Sequence, residues 1–455
     1  MSEYYDITPQ EFLITGRRDT EEGHVEYDLR CINECDECPE CGGIAIKKDG
    51  LRKKKIRDLP AFGKQVGLVI TMQRYFCQEC YSSFYPDILT VDGYAKMTNR
   101  MRDYICNESL RKPFVSLAEE LSISDTTIKR VFQKHVDVLE SERELIAPEV
   151  LGIDENHMMH KYRAVFTDVK NGLLLDILPK RSKVMLGEFL TNLPRKERVK
   201  CVTLDMWNPY RDIAYEFFPK ALVVVDHFHV MQGVTKALDK IRVNLRKELP
   251  KKERVKLKNS RYLFLKNMED LTSEEDEKLS DLFAEYRQFE EAYYLKEDFR
   301  EMYRCKSKGK AQTMYASWEK KARAYPEFND VRRYMDGWYR EIFNYFEMPH
   351  TNAITEYLNG VLNRINDSGK GYSFDVLRAK ALFGTTASKP AKFKYTEYRK
   401  ASGGGFNPGY GRPLTGNDMM GLGSSVRTKK TIVHGEGVDI MELYSLLQDK
   451  GIMDL

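Results

Sequence analysis

Residues 201–232 read CVTLDMWNPYRDIAYEFFPKALVVVDHFHVMQ, and they constrain the fold more tightly than any other stretch. CVTL is a short strand-forming run that stops at Asp205. Asn208 and Pro209 then open a helix, because the fixed φ of proline suits a first helical turn. FFPK closes that helix, and ALVVV has the length and composition of a buried strand ending at Asp226. A strand–helix–strand unit of this kind belongs to an α/β sheet. Each strand delivers a carboxylate at its C-terminal end, the edge where ligands gather in such sheets.

The chain upstream supplies the rest of that sheet. VLGID, KYRAVFTDV and NGLLLDIL are three successive strands joined by short turns, and SKVMLGEFLTNL is an amphipathic helix. Three strands, helix, strand, helix, strand is the order of the ribonuclease H fold. In that order Asp154 ends the first strand and Asp205 the fourth. These strands are neighbours, so their carboxylates meet. Asp226 ends the fifth strand and, with His229, is expected as a flanking pair. Far downstream, TNAITEYLNGVLNRI at 351–365 has helical spacing. Asn352, Glu356, Asn359 and Asn363 form a polar stripe; Ile354, Leu358, Val361 and Ile365 form the opposite, apolar one. A lone helical glutamate is ordinarily just solvated. This one lies in an amide-rich stripe with little charge to pair with, which suits a metal-binding edge. Two aspartates and a glutamate on one sheet edge would hold divalent cations for phosphodiester chemistry.

The N-terminal part carries a different chemistry. CPECGG at 38–43 and CQEC at 77–80 are two C-x-x-C knuckles, separated by the β-rich run VGLVITMQRYF. Strands between knuckles indicate a zinc ribbon, with Cys38, Cys41, Cys77 and Cys80 as tetrahedral ligands of one structural Zn²⁺. Reduced free thiols are the plainer alternative. Cys31 and Cys35 are spare, and Cys35 could exchange into the ligand set. The inter-knuckle loop carries Lys47, Lys48, Arg52, Lys53, Lys54, Lys55 and Arg57. It is either a solvated loop or a phosphate-contacting one. SLAEELSISDTTIKRVFQKHV has the layout of a helix-turn-helix. Leu117, Ala118 and Leu121 form one buried face, Ser124 is the N-cap, and Ile128, Val131 and Phe132 form the second buried face. The opposite face shows Thr126, Thr127, Lys129, Arg130, Gln133 and Lys134, residue types that reach base edges and phosphates. An ordinary helical hairpin is the alternative.

Net charge is only +4, so local clusters carry the case for nucleic acid. Residues 233–345 are helical and strongly charged, basic from Arg242 to Lys258 and acidic around SEEDEK, with Trp318 and Trp338 for a core. The basic half reads as a solvated helix face, with DNA contact as the alternative. After 385 the chain is Gly-rich, with one short helix, DIMELYSLLQDKG, near its end. No apolar run approaches a membrane span, and the acidic N-terminus is unlike a signal peptide. The expected location is the cytoplasm, where nine cysteines stay reduced.

Together these segments resemble the ISL-three family of insertion-sequence transposases, of the DDE class. The resemblance covers about residues 36–385 and rests on CPECGG, IRDLPAFGKQVGLVITMQRYFCQEC, SSFYP, GIDE, TLDMWNPYRDIAYEFFPKALVVVDHFHVMQ, LKNSRYLFLKN and TNAITEYLNGVLNRI. The last motif usually begins Ser-Asn-Gly; here Thr351 and Ala353 flank Asn352, and Tyr357 replaces a usual glycine. The resemblance implies Asp154, Asp205 and Glu356 as the catalytic triad, with Asp226, His229, Asn352 and Asn359 in support. It implies two Mg²⁺ (or Mn²⁺) ions, terminal inverted repeats and target DNA as partners, and a homo-oligomer during synapsis. A catalytically inert DNA-binding regulator and a nuclease without strand transfer are the competing readings. The expected architecture is α+β and multidomain. It comprises an N-terminal segment 1–30, a zinc ribbon 31–95 and a helix-turn-helix 96–145. A ribonuclease H-like core 146–232 follows, then an all-helical insertion 233–345, the helix with the catalytic Glu in 346–385, and a Gly-rich tail 386–455.

Overall fold

The computed structural model describes residues 11–21, 23–92, 96–369, 371–384, 395–398 and 429–432. The chain divides into two compact units, Met1–Glu144 with Asp367–Thr385, and Leu145–Asn366 with Thr386–Leu455.

The first unit opens with a five-stranded sheet of β1 (Phe12–Asp19), β2 (Val25–Cys31), β3 (Ile46–Ala61), β4 (Lys64–Cys77) and β5 (Ser83–Phe84). The order is β1-β2-β4-β3, with β5 also on β4. Two sequence expectations change here. Residues 1–30 carried no expected structure, yet they supply β1 and most of β2. Val25, Tyr27, Leu29 and Cys31 alternate with charged or polar residues, and Val25 and Leu29 are buried. That is a half-buried strand signal masked by its charged partners. The basic run 47–57, read as a loop, is strand β3, paired antiparallel with β4 from Ile46↔Cys77 to Ala61↔Lys64. It lies at the sheet edge, where lysines discourage pairing with another chain.

Three helices follow: α1 (Asn99–Ser109), α2 (Phe114–Leu121) and α3 (Asp125–Glu142). Ser122 ends α2 in the left-handed region with φ 50°, and Ser124 caps α3 by accepting from Thr127 N at 3.2 Å. Leu117, Ala118, Leu121, Ile128 and Phe132 are buried as their spacing predicts, with Val131 partly so. Asp58 of β3, fully buried, ties the sheet to α1. It accepts from the α1 N-cap Thr98 hydroxyl at 2.7 Å and from Arg100 Nε at 2.7 Å.

The second unit holds a five-stranded sheet of β6 (Val150–Met158), β7 (Lys161–Asp168), β8 (Leu173–Leu178), β9 (Cys201–Leu204) and β10 (Leu222–Val225). Its order is β10-β9-β6-β7-β8. The pairs β10/β9 and β9/β6 are parallel; β6/β7 and β7/β8 are antiparallel. Helices α4 (Lys183–Asn192) and α5 (Asn208–Phe217) connect β8 to β9 and β9 to β10. Every residue of β9 is buried, as a parallel strand covered on both faces requires. Asp154 does not end its strand. Pairing of β6 with β9 stops at Ile153↔Leu204, but pairing with β7 runs on to Met158↔Lys161.

After β10 the chain is helical: α6 (His227–Glu248), α7 (Lys251–Asn259), α8 (Arg261–Leu265), α9 (Ser273–Glu285), α10 (Arg287–Tyr303), α11 (Lys308–Ala322), α12 (Asn329–Gly337) and α13 (Tyr339–Asn344). Their apolar faces and the sheet share one continuous core that includes Trp318 and Trp338. Arg242, read as part of a solvated face, is buried instead. Its guanidinium pairs with Asp239 at 2.7 Å and donates to Leu257 O at 3.2 Å. Glu356 lies on α14 (Ala353–Gly369); α15 (Phe374–Phe383) packs in the first unit, where Lys380 donates to the carbonyls of Ser109 and Lys112. The segment expected as 346–385 is therefore shared between the units. In the Gly-rich tail, Tyr395–Tyr398 pairs antiparallel with Lys429–Ile432; the helix expected at its end lies outside the described residues. No helix among the described residues is long and apolar enough to cross a membrane.

Candidate active site and cysteine cluster

The register Ile153↔Leu204 sets Asp154 and Asp205 side by side, each one residue beyond the last parallel pair. Their carboxyls share a hydrogen bond, which two ionised groups cannot do. Burial, then the charges of Asp154 and Asp226, push the pKa of Asp205 up to about 9. Burial also raises Asp154. Asp154 is held from both sides: Oδ1 accepts from Glu155 N at 2.7 Å and Oδ2 from Asn359 Nδ2 at 2.7 Å. Asp205 Oδ1 is buried and has no hydrogen-bond partner among the described residues.

Helix α14 reaches this edge through its polar face. Thr203 Oγ1 donates to Asn352 Oδ1 at 2.7 Å, the Thr355 and Thr167 hydroxyls meet at 2.7 Å, and Asn156 Nδ2 donates to Asn359 O at 3.0 Å. Asn352 and Thr355 are fully buried and Asn359 is partly so, so this end of the segment packs against the sheet rather than being bathed in solvent. Asn363 remains exposed. Glu356 keeps part of its surface in solvent. Desolvation, then Asp226 and Asp154, hold its carboxyl up at about 7.

The close approach of α14 needs Gly152. A Cβ there would lie 2.3 Å from Thr167 Oγ1 and 2.7 Å from Thr355 Oγ1. Gly152→Ala should therefore cost about 1–3 kcal/mol through overpacking. In a thermal melt this appears as a midpoint lowered by several degrees, with zinc content unchanged. An unaltered melt would show that the helix is not held this closely.

Asp226 and His229 also reach the edge. Asp226 is buried and caps α6, accepting from Phe228 N at 3.1 Å. His229 Nε2 lies 3.1 Å from Asp205 Oδ2, and its Nδ1 lies 4.0 Å from Asp226. Asp205, Asp226 and His229 each offer a ligand atom within 4.8 Å of the others, a group that Asp154 and Glu356 do not join. Sequence reasoning missed Thr355 and Tyr210, whose hydroxyl donates to Asp154 O at 3.2 Å. Thr355 could have been found three residues from Asn352, on the same helical face.

In the first unit Cys38, Cys41, Cys77 and Cys80 place their sulfurs within 4.8 Å of one another. Cys38 and Cys80 are 3.6 Å apart, and Cys41 and Cys77 are 3.7 Å apart. Four Zn–S bonds of about 2.3 Å at tetrahedral angles put sulfurs about 3.8 Å apart, so the cluster has the dimensions of a closed zinc site. Cys31 and Cys35 fall outside it, and burial raises both thiols. Lys53 and Lys55 are exposed on β3, with Lys54 half-buried. On α3, Thr126, Lys129, Arg130, Gln133 and Lys134 are exposed and Thr127 is half-buried. Lys129 pairs with Asp125 and Gln133 bonds Asp137, which tempers their availability. A cleft of about 2070 Å³ brings Lys55 and Arg57 together with Thr127, Arg130 and Lys134; Lys53, Lys54, Thr126, Lys129 and Gln133 do not line it.

Comparison with known proteins agrees with these three parts. A family model described as "Transposase" matches residues 151–381. One described as "zinc-finger of transposase IS204/IS1001/IS1096/IS1165" matches residues 36–80. A third, "Helix-turn-helix domain of transposase family ISL3", matches residues 91–136. The transposase for insertion sequence element IS1001 of Bordetella parapertussis is 24% identical over 361 residues, 76% of this chain and 88% of that protein. The transposase for insertion sequence element IS1557 of Mycobacterium tuberculosis is 30% identical over 202 residues, 38% of this chain and 46% of that protein. With a transposase match across the carboxylate edge, and zinc-finger and helix-turn-helix matches over the cysteine cluster and α1–α3, the chain belongs to the ISL3 family of insertion-sequence transposases.

Proposed function

We propose that the chain cuts DNA at the terminal inverted repeats of an insertion sequence and joins the freed 3′-hydroxyl to target DNA, using Asp154, Asp205 and Glu356. The observation that carries this reading is the juxtaposition of the Asp154 and Asp205 carboxylates on adjacent strands, with the more exposed Glu356 close enough for its carboxyl to feel the charges of Asp226 and Asp154. The sheet order β10-β9-β6-β7-β8 supports a ribonuclease H-like core, with α6–α13 as a helical insertion before α14.

The donor set fits hard divalent cations, Mg²⁺ or Mn²⁺. It is all oxygen apart from His229, and it includes the unpartnered Asp205 Oδ1. Bound there, two such ions lower the pKa of an attacking water or hydroxyl and stabilise the leaving oxygen. The protein's own residues do the rest. Asn359 and the Glu155 amide fix the Asp154 carboxylate. Thr203, through Asn352, fixes the start of α14 and hence Glu356. His229 donates to Asp205 and orients it. The zinc ribbon and helix-turn-helix bind the end, through Lys53, Lys54 and Lys55 and the exposed face of α3, and synapsis pairs two copies.

The test is a labelled duplex carrying the inverted repeat that flanks the coding sequence. The full-length protein should nick it with Mg²⁺ or Mn²⁺ but not with EDTA, and should join a pre-cut 3′ end to a plasmid. Binding without nicking would make the chain an inert DNA-binding regulator. Nicking without joining would make it a nuclease.

A further inference from the structure

Beside the two aspartates stands a set of ring and guanidinium side chains, of which Trp207 also packs against the core and against Tyr210. The guanidinium of Arg181 lies over the Tyr162 ring at 4.3 Å and over the Trp207 ring at 4.5 Å. Arg181 pairs with Glu155, the residue after Asp154. Trp207 follows Asp205 by two residues, and its amide donates to Asp205 O at 2.6 Å. The group is therefore tethered by the backbone to both aspartates. Tyr162 is 50% exposed, so the group opens to solvent instead of closing into the core.

Its position follows from the sheet. The β6–β7 hairpin continues past the end of β9, and Tyr162 pairs with His157 on that overhang. Three residues of strand separate His157 from Asp154, about 10 Å at about 3.4 Å per residue. That distance equals about three steps of a stacked DNA strand. A strand with a phosphate at Asp154 and Asp205 that runs along the hairpin would pass the overhang within its next few nucleotides.

We propose that Tyr162, Arg181 and Trp207 form a stacking platform for one unpaired nucleobase close to the phosphate held at the carboxylates. Aromatic faces and a guanidinium plane are the surfaces on which unstacked bases settle, at about 1–3 kcal/mol per base and with little sequence preference. The guanidinium covers a face of each ring while it pairs with Glu155, and the His157 ring lies 4.9 Å from Tyr162, so an incoming base stacks on the exposed part of the Tyr162 ring and the planar cation beside it. An extruded base opens the duplex beside the scissile bond, where side chains otherwise cannot reach. The purely structural alternative is a surface cluster that only braces the Glu155–Arg181 pair.

This inference rests on the proposed cleavage site, so the first readout avoids cleavage. Inverted-repeat duplexes with 2-aminopurine at each position flanking the cut are bound by full-length protein in EDTA. One position should report an unpaired base whose fluorescence is quenched by stacking. Tyr162→Ala and Arg181→Ala should remove that signal while the end stays bound; Tyr162→Phe should keep it. With Mn²⁺, Tyr162→Ala should cut the paired end at least tenfold more slowly. A mismatch at the reporting position should restore its rate to within about twofold of wild type. A signal indifferent to Tyr162 and Arg181, or a defect equal on paired and mismatched ends, overturns the platform. Loss of nicking by wild type on every substrate, with the fluorescence signal intact, rejects the cleavage reading and leaves the platform standing.

Discussion

Asp205→Asn abolishes divalent-ion-dependent nicking of an inverted-repeat end, by at least a thousandfold, while leaving binding of that end unchanged within about twofold. The asparagine keeps the shape of Asp205 and its bond to His229 but removes the charge a cation needs. A second, opposite effect separates this from simple damage. Asp205 is an acid held above its ordinary range, at about 9, and Glu356 is held at about 7. Such a group binds its proton more tightly in the folded chain than in the unfolded one. The contribution of these two groups to the metal-free fold is therefore largest below the ordinary carboxylate pKa of about 4. It loses stability as pH rises toward about 7 for Glu356 and about 9 for Asp205. Removing the Asp205 carboxylate removes most of that loss. Asp205→Asn should raise the metal-free thermal midpoint at pH 8 by several degrees and flatten its fall between pH 6 and pH 9. It should also blunt the upward shift that Mn²⁺ produces in wild type. Wild-type nicking by the variant, or a metal-free midpoint lowered at pH 8, would contradict the assignment.

The second large effect is at the cysteines. Cys77 is fully buried at the end of β4, 3.7 Å from Cys41, and closes the cluster from the strand side. Cys77→Ser should take zinc content from one per chain to near zero, because structural zinc binding and ribbon folding are one process. The small core around the cluster, Tyr75 and Phe84 with Cys38 and Cys77, has little else to hold it. End binding should fall at least tenfold. Cys31→Ser is the control: its sulfur lies outside the cluster, so zinc and binding should stay as in wild type. Metal analysis and end-binding titrations on the two variants decide this. Equal zinc in Cys77→Ser and wild type would reject the four-cysteine site.

Much of this arrangement was legible because its signals are local. Runs such as CVTL and ALVVV identify strands by composition, and the residues that follow them land at the sheet edge whatever the wider topology. Paired knuckles bring their own geometry. The helix-turn-helix is fixed by a few apolar positions and a serine cap. What stayed hidden depends on partners far away in sequence. The basic run 47–57 looks like a loop, because lysine disfavours strands, until its pairing with β4 is known. Residues 25–31 alternate correctly, but charged neighbours hide the pattern. Burial of Asn352 depends on Thr203, 149 residues away, and that of Thr355 on Thr167, 188 residues away. Arg242 turned inward because Asp239 and a helix-end carbonyl were there to receive it. The ring–guanidinium group beside Asp205 joins three separate elements, and no spacing rule links them.

Under the proposed function, Asp154, Asp205 and Glu356 collect divalent cations at one end of a DNA strand. The most direct measurement is the anomalous scattering of Mn²⁺ in crystals of the protein bound to a pre-cut inverted-repeat end. Manganese ligated by both Asp154 and Asp205, with Glu356 on the same site and the terminal phosphate or 3′-hydroxyl against it, is the predicted result. Manganese held by Asp205, Asp226 and His229 without Asp154, or absent from this edge while the DNA end is bound, would contradict it.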